Sequence, residues 1–122
     1  MHKKVQTMVA AGMMSCTFAG RALAEYPAPV EGSYTIKDFR IENGETLPEV
    51  KVGYLTIGDP AGQIVSVIHG TTGSAKGMLA ESFAEELFAP GKPLDATKYF
   101  IILPDTIGAG NGSKPSDGSE SW

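Results

Sequence analysis

Two short apolar runs joined by a helical pattern constrain the fold of this chain more than any other feature. Residues 64–68 (IVSVI) and 99–103 (YFIIL) are almost continuously apolar, as expected of strands covered on both faces. Between them, residues 76–88 contain three large apolar side chains spaced four apart, which predicts one amphipathic helix. A strand, a helix and a second strand of this kind predict a parallel βαβ unit with a right-handed crossover.

The segment before this unit predicts an antiparallel hairpin. Residues 34–42 and 49–56 both have strand character, and the Asn-Gly pair at positions 43–44 is a turn signal. Residues 25–33 are rich in Pro and small residues, which predicts an extended linker. The expected fold class is therefore α/β, a hairpin followed by a βαβ unit, in a domain spanning residues 34–122.

The first 24 residues have the pattern of an export signal. Two lysines lie in residues 1–4, residues 5–20 are uncharged and mostly apolar, and small residues lead up to Ala24. We expect a signal peptide over residues 1–24, cleaved after Ala24, and a periplasmic or secreted protein. The apolar run is too short for a stable membrane span. The alternatives are a lipoprotein anchored through Cys16 and a cytosolic protein with a disordered tail.

Charge and cysteine content exclude several kinds of partner. Cleavage would remove three of the ten Lys and Arg residues, none of the 14 acidic residues, and the single cysteine. An acidic chain without basic clusters is not suited to nucleic acid. Without cysteine there is no disulfide framework, thiol chemistry or sulfur-ligated metal. We expect no cofactor and no metal, and the oligomeric state stays open.

The turn after the first apolar run is the candidate site. Residues 69–74 (HGTTGS) follow the carboxyl end of a predicted parallel strand, the edge at which open α/β sheets bind ligands. Gly70 and Gly73 permit a tight turn with unshielded amides, so that the Thr71 N–H can point at an anion. The alternative is a turn in which the glycines serve geometry alone.

Other motifs are weak or absent. His69 has no serine or acid near it in sequence, so we interpret it as a structural hydrogen-bonding residue. Asp105 can cap the loop that follows it. The nearest approach to the nucleophile motif G-x-S-x-G is KPSDG at residues 114–118, which lacks the small residue two before the serine and a preceding strand. Residues 108–113 begin like G-x-G-x-x-G but end in serine.

Four separated motifs form a set that is specific together. They are IENGETLPEV at residues 41–50 with Tyr54 and Gly58, HGTTGS at 69–74, PGKPLD at 90–95 with YFII at 99–102, and Pro104 and Asp105 with Gly108. In this order they resemble the N-terminal part of the homoserine O-acetyltransferase branch of the α/β-hydrolase superfamily. The resemblance covers residues 39–116 and implies a truncated α/β-hydrolase fold.

The resemblance also implies roles for the turn. Thr71 would contribute its main-chain N–H to an oxyanion hole, and His69, Gly70, Thr72 and Gly73 would form the supporting turn. The Ser-His-Asp triad of such enzymes lies farther along the chain than these segments. No catalytic residue is therefore identified among the 122 residues.

Three functions stay open. Full-length relatives would hydrolyse esters or similar acyl compounds, with a small acyl substrate as the partner. We place this first, because residues 107–111 (IGAGN) are closer to esterase-like hydrolases and because export separates the protein from acyl-CoA. The second hypothesis is a fragment of a homoserine O-acyltransferase using acyl-CoA. The third is a non-catalytic remnant or binding fragment.

Overall fold

The predicted hairpin and the predicted βαβ unit join into one mixed sheet in the computed structural model, which describes residues 26–117. The elements are β1 (Val30–Arg40), β2 (Thr46–Ile57), β3 (Gln63–Ser66), α1 (Glu81–Phe88) and β4 (Tyr99–Pro104), with the strands in the order β1-β2-β4-β3. β1 and β2 are antiparallel and β3 and β4 are parallel, which confirms both predicted units. The predicted signal peptide and Cys16 lie outside the described residues.

The hairpin turn follows from its Asn-Gly pair. Gly44 has a φ of +95°, which only glycine adopts without steric cost. The Asn43 side chain accepts a hydrogen bond from the Glu45 N–H at 2.9 Å, and the Ile41 N–H donates to the Glu45 carbonyl at 2.7 Å. This turn fixes the register of the long β1–β2 ladder, which pairs Arg40 with Thr46 at one end.

β1 begins earlier than the sequence pattern predicts. It starts at Val30, within the segment 25–33 that we interpreted as a linker, because residues 30–33 pair with residues 53–56 at the end of β2. Gly32 lies opposite Tyr54, where a Cβ atom would approach the tyrosine ring to 2.5 Å. The glycine at this position therefore serves close packing within a strand.

The predicted single helix over residues 76–88 is divided in two. Lys76–Leu79 form a 3₁₀ turn, and α1 begins only at Glu81. Ala80 between them has an extended ψ of 135° and its carbonyl accepts the N–H groups of Phe83 and Ala84. Gly77 lowers helix propensity in the first segment, which fits the tighter turn seen there.

The hydrophobic core lies between one face of the sheet and α1. Ile57, Ile101 and Leu103 from the sheet pack with Ala84 and Phe88 of α1 in one buried cluster. The opposite face of β3 is open within residues 26–117, so the expectation that this strand is covered on both faces is wrong for the described part of the chain. Ile64 is 64% exposed, whereas Ile101 on β4 is fully buried.

β4 has two different neighbours, and this pairing places the candidate site. It pairs antiparallel with β2, Leu55 facing Leu103, and parallel with β3, Val65 facing Ile101. The carboxyl ends of β3 and β4 therefore meet at one edge of the sheet. Among residues 26–117, no helix is long and apolar enough to cross a membrane.

Candidate oxyanion-binding turn

The turn of residues 69–74 lies beside the loop of residues 105–113, since each follows one of the two parallel strands. The Gly70 carbonyl accepts the Gly73 N–H at 2.9 Å, which closes a four-residue turn around Thr71 and Thr72. Both threonines are exposed. Within residues 26–117, neither threonine N–H donates a hydrogen bond.

His69 holds the start of this turn. It is 8% exposed, and its Nε2 accepts the Thr106 N–H at 3.2 Å. Its Nδ1 therefore carries the ring proton and donates it to the Gly70 carbonyl at 2.7 Å. With both ring nitrogens bonded to backbone groups, the imidazole positions the turn and has no free nitrogen for general base catalysis.

Asp105 holds the end of the turn. The residue is 6% exposed, and its Oδ1 accepts the Ala75 N–H at 2.8 Å. Oδ2 accepts the Asn111 N–H at 3.0 Å, so the carboxylate caps the loop that follows it and also bonds a residue 30 positions earlier. The sequence predicted that Asp105 caps the loop that follows it. It did not predict the hydrogen bond from Ala75.

Two glycines make room for this carboxylate. Gly110 has a φ of +58°, and a Cβ atom there would overlap the Asp105 carboxyl group. A Cβ at Gly53 would come within 3.0 Å of Asp105 Oδ2. Gly110, in the segment 108–112 that resembled part of a dinucleotide motif, is thus explained by packing against an aspartate.

Two cavities adjoin these loops. One of about 500 Å³ lies beside the turn and has a largely apolar lining that includes Val67, Ile68, Met78 and Phe83. The other, of about 590 Å³, is polar and is lined by residues of both charge signs, among them Glu31, Lys51 and Asp117. In the part of the chain from 26 to 117, no group of three or more His, Cys, Asp or Glu residues could hold a metal ion.

Comparison with known proteins identifies relatives of this chain. The homoserine O-acetyltransferase of Chlorobaculum parvum is 40% identical over 78 residues, which cover 62% of this chain and 21% of that protein. The chain has the N-terminal part of an α/β-hydrolase fold and is similar to homoserine O-acetyltransferases. It spans about a fifth of the length of the curated relatives it matches. No protein-family model matches it.

Solved structures show the same fold. The homoserine O-acetyltransferase of Staphylococcus aureus superposes with a TM-score of 0.62 at 21% identity, over 74% of this chain and 28% of that one. The acetyl esterase MekB also superposes with a TM-score of 0.62, at 25% identity, over 75% of this chain and 26% of the esterase. This α/β-hydrolase fold therefore occurs both in acyltransferases and in esterases.

Proposed function

We propose that this chain supplies the oxyanion-binding turn of an α/β-hydrolase that cleaves small esters. The observation that supports this most directly is that the Thr71 N–H makes no hydrogen bond within residues 26–117, on an exposed residue of a turn held at both ends. The turn lies at the carboxyl edge of parallel strands, where this class of fold binds substrates. The apolar cavity beside it suits the hydrocarbon part of a small acyl group.

The chemistry of the turn is electrostatic. When a nucleophile attacks an ester carbonyl, negative charge develops on the carbonyl oxygen, and a fixed N–H donor stabilises that charge without having to reorganise. Loss of one such donor costs about 3–4 kcal/mol of transition-state stabilisation. This chain contains no G-x-S-x-G motif, so the proposed role is one part of an active site, with the nucleophile supplied by other residues.

Acyl transfer to homoserine is the second candidate, favoured by the curated relatives, which are homoserine O-acetyltransferases. Hydrolysis and transfer share the oxyanion step and differ in the group that accepts the acyl chain. We place hydrolysis first because of the esterase-like loop at residues 107–111 and because of the proposed export signal. Export would keep the protein away from cytosolic acyl-CoA.

A chimera tests the proposed donor. Residues 26–117 would replace the structurally equivalent N-terminal part of the acetyl esterase MekB, and hydrolysis of p-nitrophenyl acetate would be measured. Thr71→Pro removes the amide hydrogen, whereas the matched variant Thr71→Ala keeps it. We expect kcat to fall by roughly 100- to 1,000-fold in the proline variant and to change little in the alanine variant.

Two results would contradict the proposal. One is a folded chimera with no esterase activity, and the other is equal activity of the proline and alanine variants. A thermal melt of each variant separates loss of catalysis from loss of folding. Supplying acetyl-CoA and homoserine to the same chimera tests the second candidate, since O-acetylhomoserine forms only if transfer occurs.

A further inference from the structure

The two ends of the candidate turn are held by two consecutive residues. At its start, the His69 imidazole accepts the Thr106 N–H. At its end, the Ala75 N–H donates to the Asp105 carboxylate. Residues 70–74 between these anchors contain one backbone hydrogen bond, from Gly73 to Gly70. The position of the Thr71 amide relative to the sheet therefore depends mainly on the two anchors.

The Asp105 anchor is itself fixed to the sheet. The Asp105 N–H donates to the Gly53 carbonyl of β2 at 2.8 Å. Farther along the same loop, Ser113 donates its N–H to the Lys51 carbonyl and accepts the Lys51 N–H on its hydroxyl oxygen, both at 2.8 Å. The loop from 105 to 113 is thus hydrogen-bonded to β2 at both of its ends, and it can hold a turn that has few contacts of its own.

We propose that Asp105 is a positioning residue that fixes the Thr71 amide by bonding Ala75 and Asn111 at once. This inference rests on the proposed function of the turn and adds a residue to it. A carboxylate can accept from both N–H groups, whereas an asparagine side chain has one acceptor oxygen and would present an N–H₂ group to the other donor. The bridge therefore requires the acid.

Nuclear magnetic resonance on the whole 122-residue chain tests the proposal. Asp105→Asn is expected to speed hydrogen exchange of the Ala75 amide at least tenfold. It is also expected to lower the order parameter of the Thr71 amide from about 0.85 to below 0.6. Exchange of the Leu103 amide in β4 should change little, because the effect is local.

Two further variants supply a control and an independent way to break the Ala75–Asp105 hydrogen bond. Asp95→Asn is the matched control, since Asp95 is also a buried aspartate that accepts backbone N–H groups, from Gly91 and Thr97. It should leave Thr71 unchanged. Ala75→Pro removes the donor and leaves Asp105 intact, and the φ of −52° at Ala75 is compatible with proline. It should reproduce the mobility of Thr71.

Each outcome of these experiments either supports or overturns the proposal. A rigid Thr71 amide in a folded Asp105→Asn or Ala75→Pro variant would overturn the proposal, as would equal mobility in the Asp95→Asn control. In the unsubstituted chain, a scalar coupling across the hydrogen bond should join the Ala75 nitrogen to the Asp105 carboxyl carbon, and its absence would also overturn it. None of these readouts requires ester hydrolysis, so failure here is distinguishable from failure of the proposed function.

Discussion

Replacing either of two isoleucines on neighbouring parallel strands by alanine should have unequal effects on stability. Ile64 lies on β3 and is 64% exposed, whereas Ile101 lies on β4 and is fully buried in the core cluster. Ile64→Ala and Ile101→Ala remove the same atoms from two strands that pair directly with each other. Any difference between the variants therefore reports the surroundings of the side chains.

The expected magnitudes follow from exposure. Burying an isoleucine side chain completely stabilises a protein by about 1.5–3 kcal/mol, and only about a third of Ile64 is removed from water. Its truncation should therefore cost roughly 0.5–1 kcal/mol and leave no cavity. Truncation of Ile101 loses the whole transfer free energy and leaves a cavity, so we expect about 2–5 kcal/mol.

Urea denaturation followed by circular dichroism measures both free energies of unfolding. Equal costs at the two positions would refute the reasoning, because they would show that Ile64 is buried in solution. The edge of β3 that is unpaired in residues 26–117 could then be pairing with a second copy of the chain. In that case the cost of Ile64→Ala would rise with protein concentration, whereas the cost of Ile101→Ala would not.

Local sequence predicted the type and approximate position of the strands but not their arrangement. The Asn-Gly pair at positions 43–44 and the two apolar runs predicted the hairpin and the parallel strands, because turn chemistry and side-chain periodicity act over a few residues. The order of the strands depends on the pairing of β2 with β4, which no local pattern specifies. The break at Ala80 was missed because helical spacing continues across it.

In the candidate site too, local sequence predicted some features, whereas others depend on contacts between distant residues. The glycines of residues 69–74 indicated a turn with exposed amides, since their small size is visible in the sequence itself. The hydrogen bond from Ala75 to Asp105 joins residues 30 positions apart, and only the parallel alignment of β3 and β4 brings them together. The steric need for glycine at position 110 likewise depends on where the Asp105 side chain lies.

Two further predictions concern the Asp95 carboxylate and the first 24 residues. Hydrogen bonds to the Asp95 carboxylate hold its pKa below the usual value. The Thr97 hydroxyl has the largest effect, and the N–H groups of Gly91 and Thr97 have the next largest. The stabilisation from Asp95 should therefore be complete above the unfolded pKa, about 3.9, and be lost as pH falls through the lower folded pKa. The melting temperature of the native chain should accordingly drop more steeply on acidification than that of Asp95→Asn, and parallel curves would exclude this role. Expression in a bacterium with an export pathway should yield an extracytoplasmic protein that begins at Glu25, as read by N-terminal sequencing, because a basic start, an apolar run and small residues precede that position. A lipidated terminus at Cys16 would contradict that cleavage site and place the protein on a membrane surface, since an acylated cysteine inserts its chains into the bilayer while the folded residues stay outside it.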